Sequence, residues 1–354
     1  MLNSNLRTVP SHKGDNIHTS YIEYFKSGLL HPFRAMRYLL RKIIWKLANI
    51  SEMIPVKSFL GETPIYVIDI GAAGGIHRRW ERFGSNLKIF LFEPEKHAFD
   101  KLVDAHGSDK RMKVFDCALS ENGQEITVHL TKWPRSSSVY PTSKEYVEAS
   151  HIRDHYEVVE LVNLNSKRLA DVYVDPDLDL IKIDTEGYEL PILKGGNNLL
   201  DSCIGLEIEV YFQQVRIGQH YFADVDSYCR SKGFTFIDFE GVGKEDDYSH
   251  FLLPSSRLES RGFISAASAA IYFRWPKHII GLIEDGKWNS NKIYKAVAIY
   301  LAYDQAEFAY VLLSLAEEKS IVKSTDLAFL AAMTIIEDYT GFNKSYIYSK
   351  IRRM

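Results

Sequence analysis

Seven apolar stretches rich in β-branched residues punctuate the middle of the chain, near 65–70, 88–93, 112–117, 178–184, 203–211, 234–239 and 268–274. Short apolar runs bounded by turn formers read as strands buried on both faces. Their alternation with helix-length segments predicts an α/β protein with a doubly wound, mostly parallel sheet. The order is interrupted over about 124–164. Two stretches there, Glu125 to Leu130 and Val158 to Leu164, alternate apolar and polar residues. That is the pattern of a half-exposed β-hairpin, here with a long tip bearing polar and aromatic residues. A loop of this length inside a compact domain is usually functional or mobile.

The flanks follow a different period. Residues 1 to 20 are rich in Ser, Asn, His and Lys and predict disorder. From Pro32 to about Ile50, Phe33, Met36, Leu40, Ile43, Ile44 and Leu47 recur at helical spacing. The opposite face carries Arg34, Arg37, Arg41, Lys42 and Lys46. Arg34 near the helix start works against the macrodipole, so something other than helix stability favours these charges. After Pro276, residues 277–285, 291–317 and 325–339 predict helices, with an N-cap at Ser324-Thr325-Asp326 and a stop at Gly341. Apolar positions such as Val297-Ala298-Ile299-Tyr300-Leu301-Ala302 crowd more than one helix face. These helices are expected to pack on the core or on a second subunit. Three regions result: 1–54, a disordered N-terminus plus a basic amphipathic helix; 55–275, the α/β domain with its insert; and 276–354, a helical extension.

Composition narrows the classes. A chain of 354 residues with 46% hydrophobic content supports one domain with a large core and extensions. A net charge of −3 gives no global attraction to nucleic acid, and none is expected as a partner. Cys117, Cys203 and Cys229 share no C-x-x-C spacing and lie in apolar or amphipathic segments. They read as buried free thiols in a reducing, cytoplasmic compartment. The first 20 residues show no signal-peptide core and no run of 18 apolar residues occurs, so no membrane span is expected.

The candidate chemistry sits where strands end. Asp69-Ile70-Gly71-Ala72-Ala73-Gly74-Gly75 follows the first strand directly and precedes a helix-like segment. Strand, glycine turn and helix open a nucleotide-binding α/β unit, and glycines let a cofactor lie against the backbone. The spacing is not the G-x-G-x-x-G of dinucleotide enzymes, and an acid, Asp69, stands in the turn. This favours a cationic cofactor without phosphates, such as S-adenosylmethionine. Glu93, in Glu93-Pro94-Glu95, ends the second strand 24 residues later. A carboxylate there can accept hydrogen bonds from both ribose hydroxyls.

Val67-Ile68-Asp69-Ile70-Gly71-Ala72, Phe92-Glu93-Pro94 and Ile181-Lys182-Ile183-Asp184-Thr185-Glu186-Gly187-Tyr188-Glu189 together resemble the FkbM family of methyltransferases. Leu193-Lys194-Gly195-Gly196, Leu206-Glu207-Ile208-Glu209, Gly233 to Asp238 and Ala269 to Arg274 continue the resemblance, which spans about residues 64 to 275. It implies a class I, Rossmann-like methyltransferase fold, S-adenosylmethionine as cofactor, and O-methylation of sugars or polyketide-type hydroxyls. The family often has Asn where this chain has Ala73 and an aliphatic residue where it has Gly74. A polar contact to the amino-acid end of the cofactor is thereby placed in doubt.

On this basis Asp69 would bond the cofactor's amino group, and Gly71, Ala72 and Gly75 would admit it to the backbone. Asp116, Cys117 and Ala118 end the third strand, where the adenine edge is expected. Asp184 should face the methyl group and the acceptor, and Glu186 follows it. Either would act as general base or orient the acceptor. Glu189 reads as a carboxylate favoured by its helix start. Glu207 and Glu209 share one strand face. The insert offers Trp133, Arg135, Tyr140, His151, His155 and Tyr156, aromatic and basic groups suited to a sugar or glycan. His151 or His155 is an alternative base, and His220 a third candidate near the acceptor. Asp184, Glu186 and Glu209 would suit a divalent cation, but no histidine spacing supports a metal and none is expected. The competing readings are a cofactor-binding scaffold of a glycan-assembly complex and a methyltransferase of a non-sugar acceptor. A nicotinamide dehydrogenase is disfavoured by the glycine spacing.

The basic helix over 32–50 is expected to cover its own protein, to join a homodimer, or to lie peripherally on the anionic inner face of a membrane, where a lipid-linked glycan would be the acceptor. Each cation adds about 1 kcal/mol near an anionic leaflet. On the membrane reading, the protein floats with anionic liposomes at low salt, and a variant with Arg34, Arg37, Arg41, Lys42 and Lys46 changed to Gln does not. Wild-type protein that stays at the bottom of the gradient removes the membrane from the three roles.

Overall fold

The computed structural model describes residues 56–149, 153–174, 177–240 and 266–340. The helix anticipated over 32–50, His151 and Gly341 lie outside the described residues. All seven apolar runs form strands. The chain lays down β1 (Ile65–Ile70), β2 (Leu87–Phe92), β3 (Met112–Phe115) and the short β4 (Ala118–Leu119), then the inserted hairpin β5 (Ile126–Thr131) and β6 (Val158–Leu164). The short β7 (Ser166–Lys167) follows, then β8 (Leu180–Ile183), β9 (Gly205–Tyr211), β10 (Thr235–Glu240) and β11 (Ala267–Phe273). The main sheet has the order β10-β11-β9-β8-β1-β2-β3. Its pairings are parallel except those of β11, which runs antiparallel to both β9 and β10. From β1 the chain works outward through β2 and β3, and from β8 it works outward the other way. The switch point therefore lies between β1 and β8, as the doubly wound reading requires.

Alternation along the strands separates two cores. Ile65 and Val67 of β1, Leu87, Ile89 and Leu91 of β2 and Leu180 of β8 face one layer of helices. Ile68 and Ile70, Ile181 and Ile183, and Leu206, Ile208 and Val210 face the other. The longer helices are α1 (Lys96–His106), α2 (Glu189–Gly195), α3 (Phe222–Ser231), α4 (Pro276–Glu284), α5 (Asn291–Ala302), α6 (Ala306–Glu318) and α7 (Leu327–Thr340). Leu190 and Leu193 of α2 and Val225 and Cys229 of α3 fill the second core.

The C-terminal helices fill the first core. Ile293, Val297 and Leu301 of α5, Leu313 of α6 and Ile336 of α7 belong to the same apolar cluster as Ile65 and Val67. Every residue of α5 from Lys292 on is buried except the half-buried Tyr294. That explains apolar positions on more than one face, since a helix hydrophobic all round is a core helix. The sequence predicts one helix over 291–317, but the chain breaks it at residues 303–305. Asp304 adopts a left-handed conformation, φ 59°, which Asp tolerates better than most residues. At the break the Tyr303 hydroxyl donates to Glu207 Oε2 at 2.6 Å and accepts from Trp80 Nε1 at 3.2 Å.

A buried ionic clamp holds α5 at the other end of the sheet. Lys292 Nζ donates to Asp179 Oδ1 at 2.6 Å and to the carbonyls of Leu178 (3.1 Å) and Ser202 (2.9 Å). Lys295 Nζ donates to Asp179 Oδ2 at 2.9 Å, and both lysines also reach Asp177. Asp179 Oδ2 accepts the Tyr66 backbone N–H at 2.9 Å, which ties the clamp to β1. Removing one partner of a buried pair leaves an uncompensated charge, at about 3–5 kcal/mol. Lys292→Ala is expected at the low end, about 3 kcal/mol, because Lys295 still faces Asp179. Urea unfolding should show a lower midpoint at an unchanged slope. Lys57→Ala, at the exposed Lys57–Glu62 pair, should shift stability by less than about 1 kcal/mol.

Candidate active site

The glycine turn after β1 brings two strand ends together. Gly71 has φ 81°, and a Cβ there would fall 1.8 Å from the Asp184 carbonyl oxygen after β8. Only glycine fits that approach. Asp184 N–H to Ile70 O (3.0 Å) stitches these two ends, and Gly71 N–H to Phe92 O (3.1 Å) ties the turn to the end of β2. Gly75 also has φ 81°, and a Cβ on Gly74 or Gly75 would meet nothing within 4 Å. Both glycines line a cavity of about 850 Å³ outside the carboxyl ends of the strands.

One side of the cavity is an apolar slot made by Phe92, Pro94, Cys117, Ala118 and Leu119. Glu93 stands at its mouth, 5% exposed, with Oε1 accepting the Glu95 N–H at 2.9 Å. Burial pushes its pKa up to about 7, against the backbone N–H groups of Glu95 and Ala73.

Strand pleat sets the floor. Asp69, Lys182 and Glu207 are cross-strand neighbours on β1, β8 and β9. Asp184 and Glu209 follow two residues on and so share their face. Lys182 Nζ lies 3.4 Å from Asp69 Oδ1 and 3.3 Å from Asp184 Oδ2. Burial raises the Asp69 pKa to about 6, with Lys182 opposing. Burial works against the charge of Lys182 too, but Asp184, Asp69 and Glu207 raise its pKa and keep it an ammonium. Glu209 is pushed well up by burial and by Asp184, Glu186 and Glu189, and it accepts the Tyr211 hydroxyl at 2.8 Å.

The loop from Asp184 to Tyr188 is wound around two acids. The Glu189 Oε1 atom accepts the N–H groups of Thr185 and Gly187, both at 2.9 Å, and the Thr185 hydroxyl at 3.2 Å. Besides standing at the helix start, Glu189 thus fixes the loop that precedes the helix. Glu186 has φ 59°, a conformation a non-glycine residue keeps only under outside restraint. The restraint is visible. Ser138 Oγ donates to the Glu186 carbonyl at 2.7 Å, and the fully buried Arg216 pairs with Oε2 at 2.8 Å. The Tyr211 hydroxyl reaches the same oxygen at 3.2 Å. Arg216 also donates to the Thr142 hydroxyl at 2.8 Å and to the Ser136 carbonyl, so it ties the insert to the acid loop.

Asp69, Gly71, Gly75, Glu93, Ala118 and Asp184 line the cavity, and so do Glu186, Glu209 and Arg135. Others lie elsewhere. The side chain of Ala72 is 1% exposed in the first core, and Ala73 and Gly74 face the cavity in its place. Asp116 is exposed and outside the lining, because the chain turns its neighbour Cys117 inward. His155 stacks on Trp133, ring centroids 5.1 Å apart, and only Trp133 reaches the cavity. Tyr156 is buried beneath the Arg216 guanidinium, and Tyr140 packs edge-on against Tyr188. His220 belongs to a separate shallow cleft with Lys194 and Asp224. Lys182, Tyr211 and Arg216 had not been singled out. The period-two spacing of Lys182 and Asp184 marks Lys182, whereas the pairings of Arg216 span 30 to 80 residues and leave no local signal.

Among the described residues, His77, Glu207 and Glu240 bring possible metal-ligand atoms together. A protein cation already sits there: Arg79 donates to Glu207 Oε2 at 3.4 Å and to Glu240.

Residues 69–236 match the family described as the Methyltransferase FkbM domain. The chain carries an FkbM methyltransferase domain. It is similar to the 2-O-methyltransferase NoeI of Sinorhizobium fredii, 24% identical over 204 residues, which cover 55% of this chain and 84% of that protein. It is also similar to the methyltransferase sdnD of Sordaria araneosa, 29% identical over 154 residues, 37% of this chain and 60% of that one. Among solved structures, the magnesium protoporphyrin IX methyltransferase ChlM of Synechocystis, with bound S-adenosylmethionine, aligns with a TM-score of 0.30 at 9% identity, covering 62% of this chain and 77% of that chain.

The cofactor of this FkbM enzyme is S-adenosylmethionine, and the cavity fits it. The turn leaves open space at Gly74 and Gly75, a buried acid stands at the tip of β2, and an apolar slot lies beside it. Glu93 would accept the ribose hydroxyls, and Phe92, Ala118 and Leu119 would flank the adenine. A carboxylate that accepts two hydroxyl protons must be ionised. Below its pKa of about 7 Glu93 is mostly neutral, so affinity for S-adenosylhomocysteine should rise about tenfold per pH unit up to that value and level off above it. Glu93→Gln should weaken binding at pH 8 by about 1–3 kcal/mol and lose that part of the slope. Calorimetry across pH 5.5–8.5 checks both, and an unaltered slope in the variant would transfer the titration to Asp69.

Proposed function

We propose that the enzyme transfers the methyl group to a hydroxyl of a sugar, glycan or glycolipid. The position of Asp184 carries this reading. It ends β8 at the switch point, its side chain is 46% exposed in the cavity, and Lys182 holds it from one side at 3.3 Å. Glu186, the other acid considered for this task, is committed to Arg216 and Tyr211. A neutral hydroxyl is a weak nucleophile, and a positioned base contributes about 10²–10⁴-fold. When bound, the cofactor supplies an electrophilic methyl group on a positively charged sulfur, and its leaving group needs no proton. The protein's task is then to orient the hydroxyl and receive its proton.

Asp184 would receive it. Glu209, whose proton is held more tightly because of burial and the neighbouring Asp184, Glu186 and Glu189, would orient the acceptor by a hydrogen bond. Trp133, 49% exposed at the rim, offers a ring face for a sugar, and Arg135 stands next to it. Similarity to a protein named a 2-O-methyltransferase, over 84% of that protein's length, supports a hydroxyl as the acceptor. The three free cysteines suit work in a reducing, cytoplasmic compartment.

Single-turnover transfer from labelled S-adenosylmethionine to a cell-envelope glycan extract tests the reading. Asp184→Asn should slow transfer by about two orders of magnitude or more while S-adenosylhomocysteine still binds. Glu186→Gln should instead lower stability, because it strips the buried Arg216 of its counter-charge. Near-normal transfer by Asp184→Asn rules Asp184 out as the base, and label confined to the non-carbohydrate fraction rules out the acceptor class.

A further inference from the structure

The inserted hairpin turns an aliphatic face toward the cavity, and the described residues cover it only in part. Ile126, Val128 and Leu130 of β5 and Val162 and Leu164 of β6 all line the cavity. Ile126 pairs with Leu164, and Val128 with Val162, so the side chains form one strip across the two strands. None of the five belongs to the hydrophobic clusters formed among the described residues, and each stays partly exposed. The four steps from Ile126 to Leu130 give the strip a length of about 14 Å.

A two-stranded hairpin is marginal in water unless its apolar face is covered. The strip also lacks what a bare carbohydrate would use. It offers no ring to stack on and no hydrogen-bonding side chain; those lie on the floor and at Trp133. The slot suited to adenine is a different group, Phe92, Pro94, Ala118 and Leu119.

We infer that the acceptor carries an aliphatic chain, of acyl or prenyl kind, and that the β5–β6 strip binds this chain while the hydroxyl lies over Asp184. The inference rests on the reading of the acceptor as a sugar hydroxyl and narrows it to an amphipathic one. Covering the strip would contribute to affinity in proportion to chain length. Each buried methylene is worth about fourfold in affinity.

The test is a binding series on the full chain, saturated with S-adenosylhomocysteine. The probes are n-alkyl β-D-glucosides from methyl to octyl, below their micellar concentrations, read by titration calorimetry. The dissociation constant should fall about three- to fourfold per methylene over the longer members. The double variant Val128→Thr, Val162→Thr keeps β-branched residues in the strands and should flatten that dependence while leaving S-adenosylhomocysteine affinity unchanged. Leu161→Thr, on the opposite hairpin face at 62% exposure, should leave it intact. Binding that is absent or indifferent to chain length in the wild type overturns the inference, as does weakened S-adenosylhomocysteine binding in the double variant, which would make the strip a cofactor wall. Because the readout is binding, failure of the sugar reading registers separately, as no transfer to any sugar hydroxyl.

Discussion

A half-buried lysine between carboxylates governs the cleft. Lys182 stands on the central strand β8 with Asp69 on one side and Asp184 beyond it, and Glu207 is its neighbour on β9. Without that ammonium the buried Asp69 would be uncompensated in a poorly solvated place, at a cost of several kcal/mol. Even with it, acids outnumber cations around the cavity. Asp69, Glu93 and Glu189 are held near pKa values of about 6, 7 and 7, each chiefly by burial. Such a cleft gains stability from a ligand that brings positive charge, as a sulfonium and an amino group do. The same imbalance disfavours a ligand bearing phosphates at the floor.

The second organising contact is the Arg216–Glu186 pair. It joins three segments far apart in sequence: the insert through Ser136 and Thr142, the acid loop through Glu186, and the connection after β9 that carries Arg216 itself. The left-handed Glu186 backbone and the carboxylate pairing reinforce each other. One places the side chain under Arg216, and the other holds the backbone where few residues stay unaided. Asp184 is thereby left as the acid of this loop that is free to face the cavity.

Much of this was legible in the sequence because burial and pleat have periods. The seven strands, the hairpin over 126–131 and 158–164, and the acids at strand ends all follow from runs, alternation and turn residues. The remaining features depend on contacts that no local pattern encodes. The helix expected over 291–317 breaks at Asp304 because Tyr303 turns to meet Glu207 and Trp80. The insert's aromatic and basic residues read alike in sequence, yet Tyr156 is buried under Arg216 and Trp133 opens on the cavity. Residue type suggested ligands; only packing decided which side chains arrive. Glu186 shows the same limit, since its motif marks it as an acid near the reaction and cannot reveal the arginine that engages it.

The clamp between α5 and the base of the sheet also bears on how the chain is made. Val67 and Ile299 share one core, yet they are separated by most of the polypeptide. At synthesis rates of about 5–20 residues per second, roughly ten to fifty seconds pass before the ribosome delivers the helix that covers β1. During that interval one face of the nascent sheet is bare, and the Asp179 carboxylate waits without its lysines. A topology that closes its core with α5, α6 and α7 leaves that face of the sheet open until those helices are made.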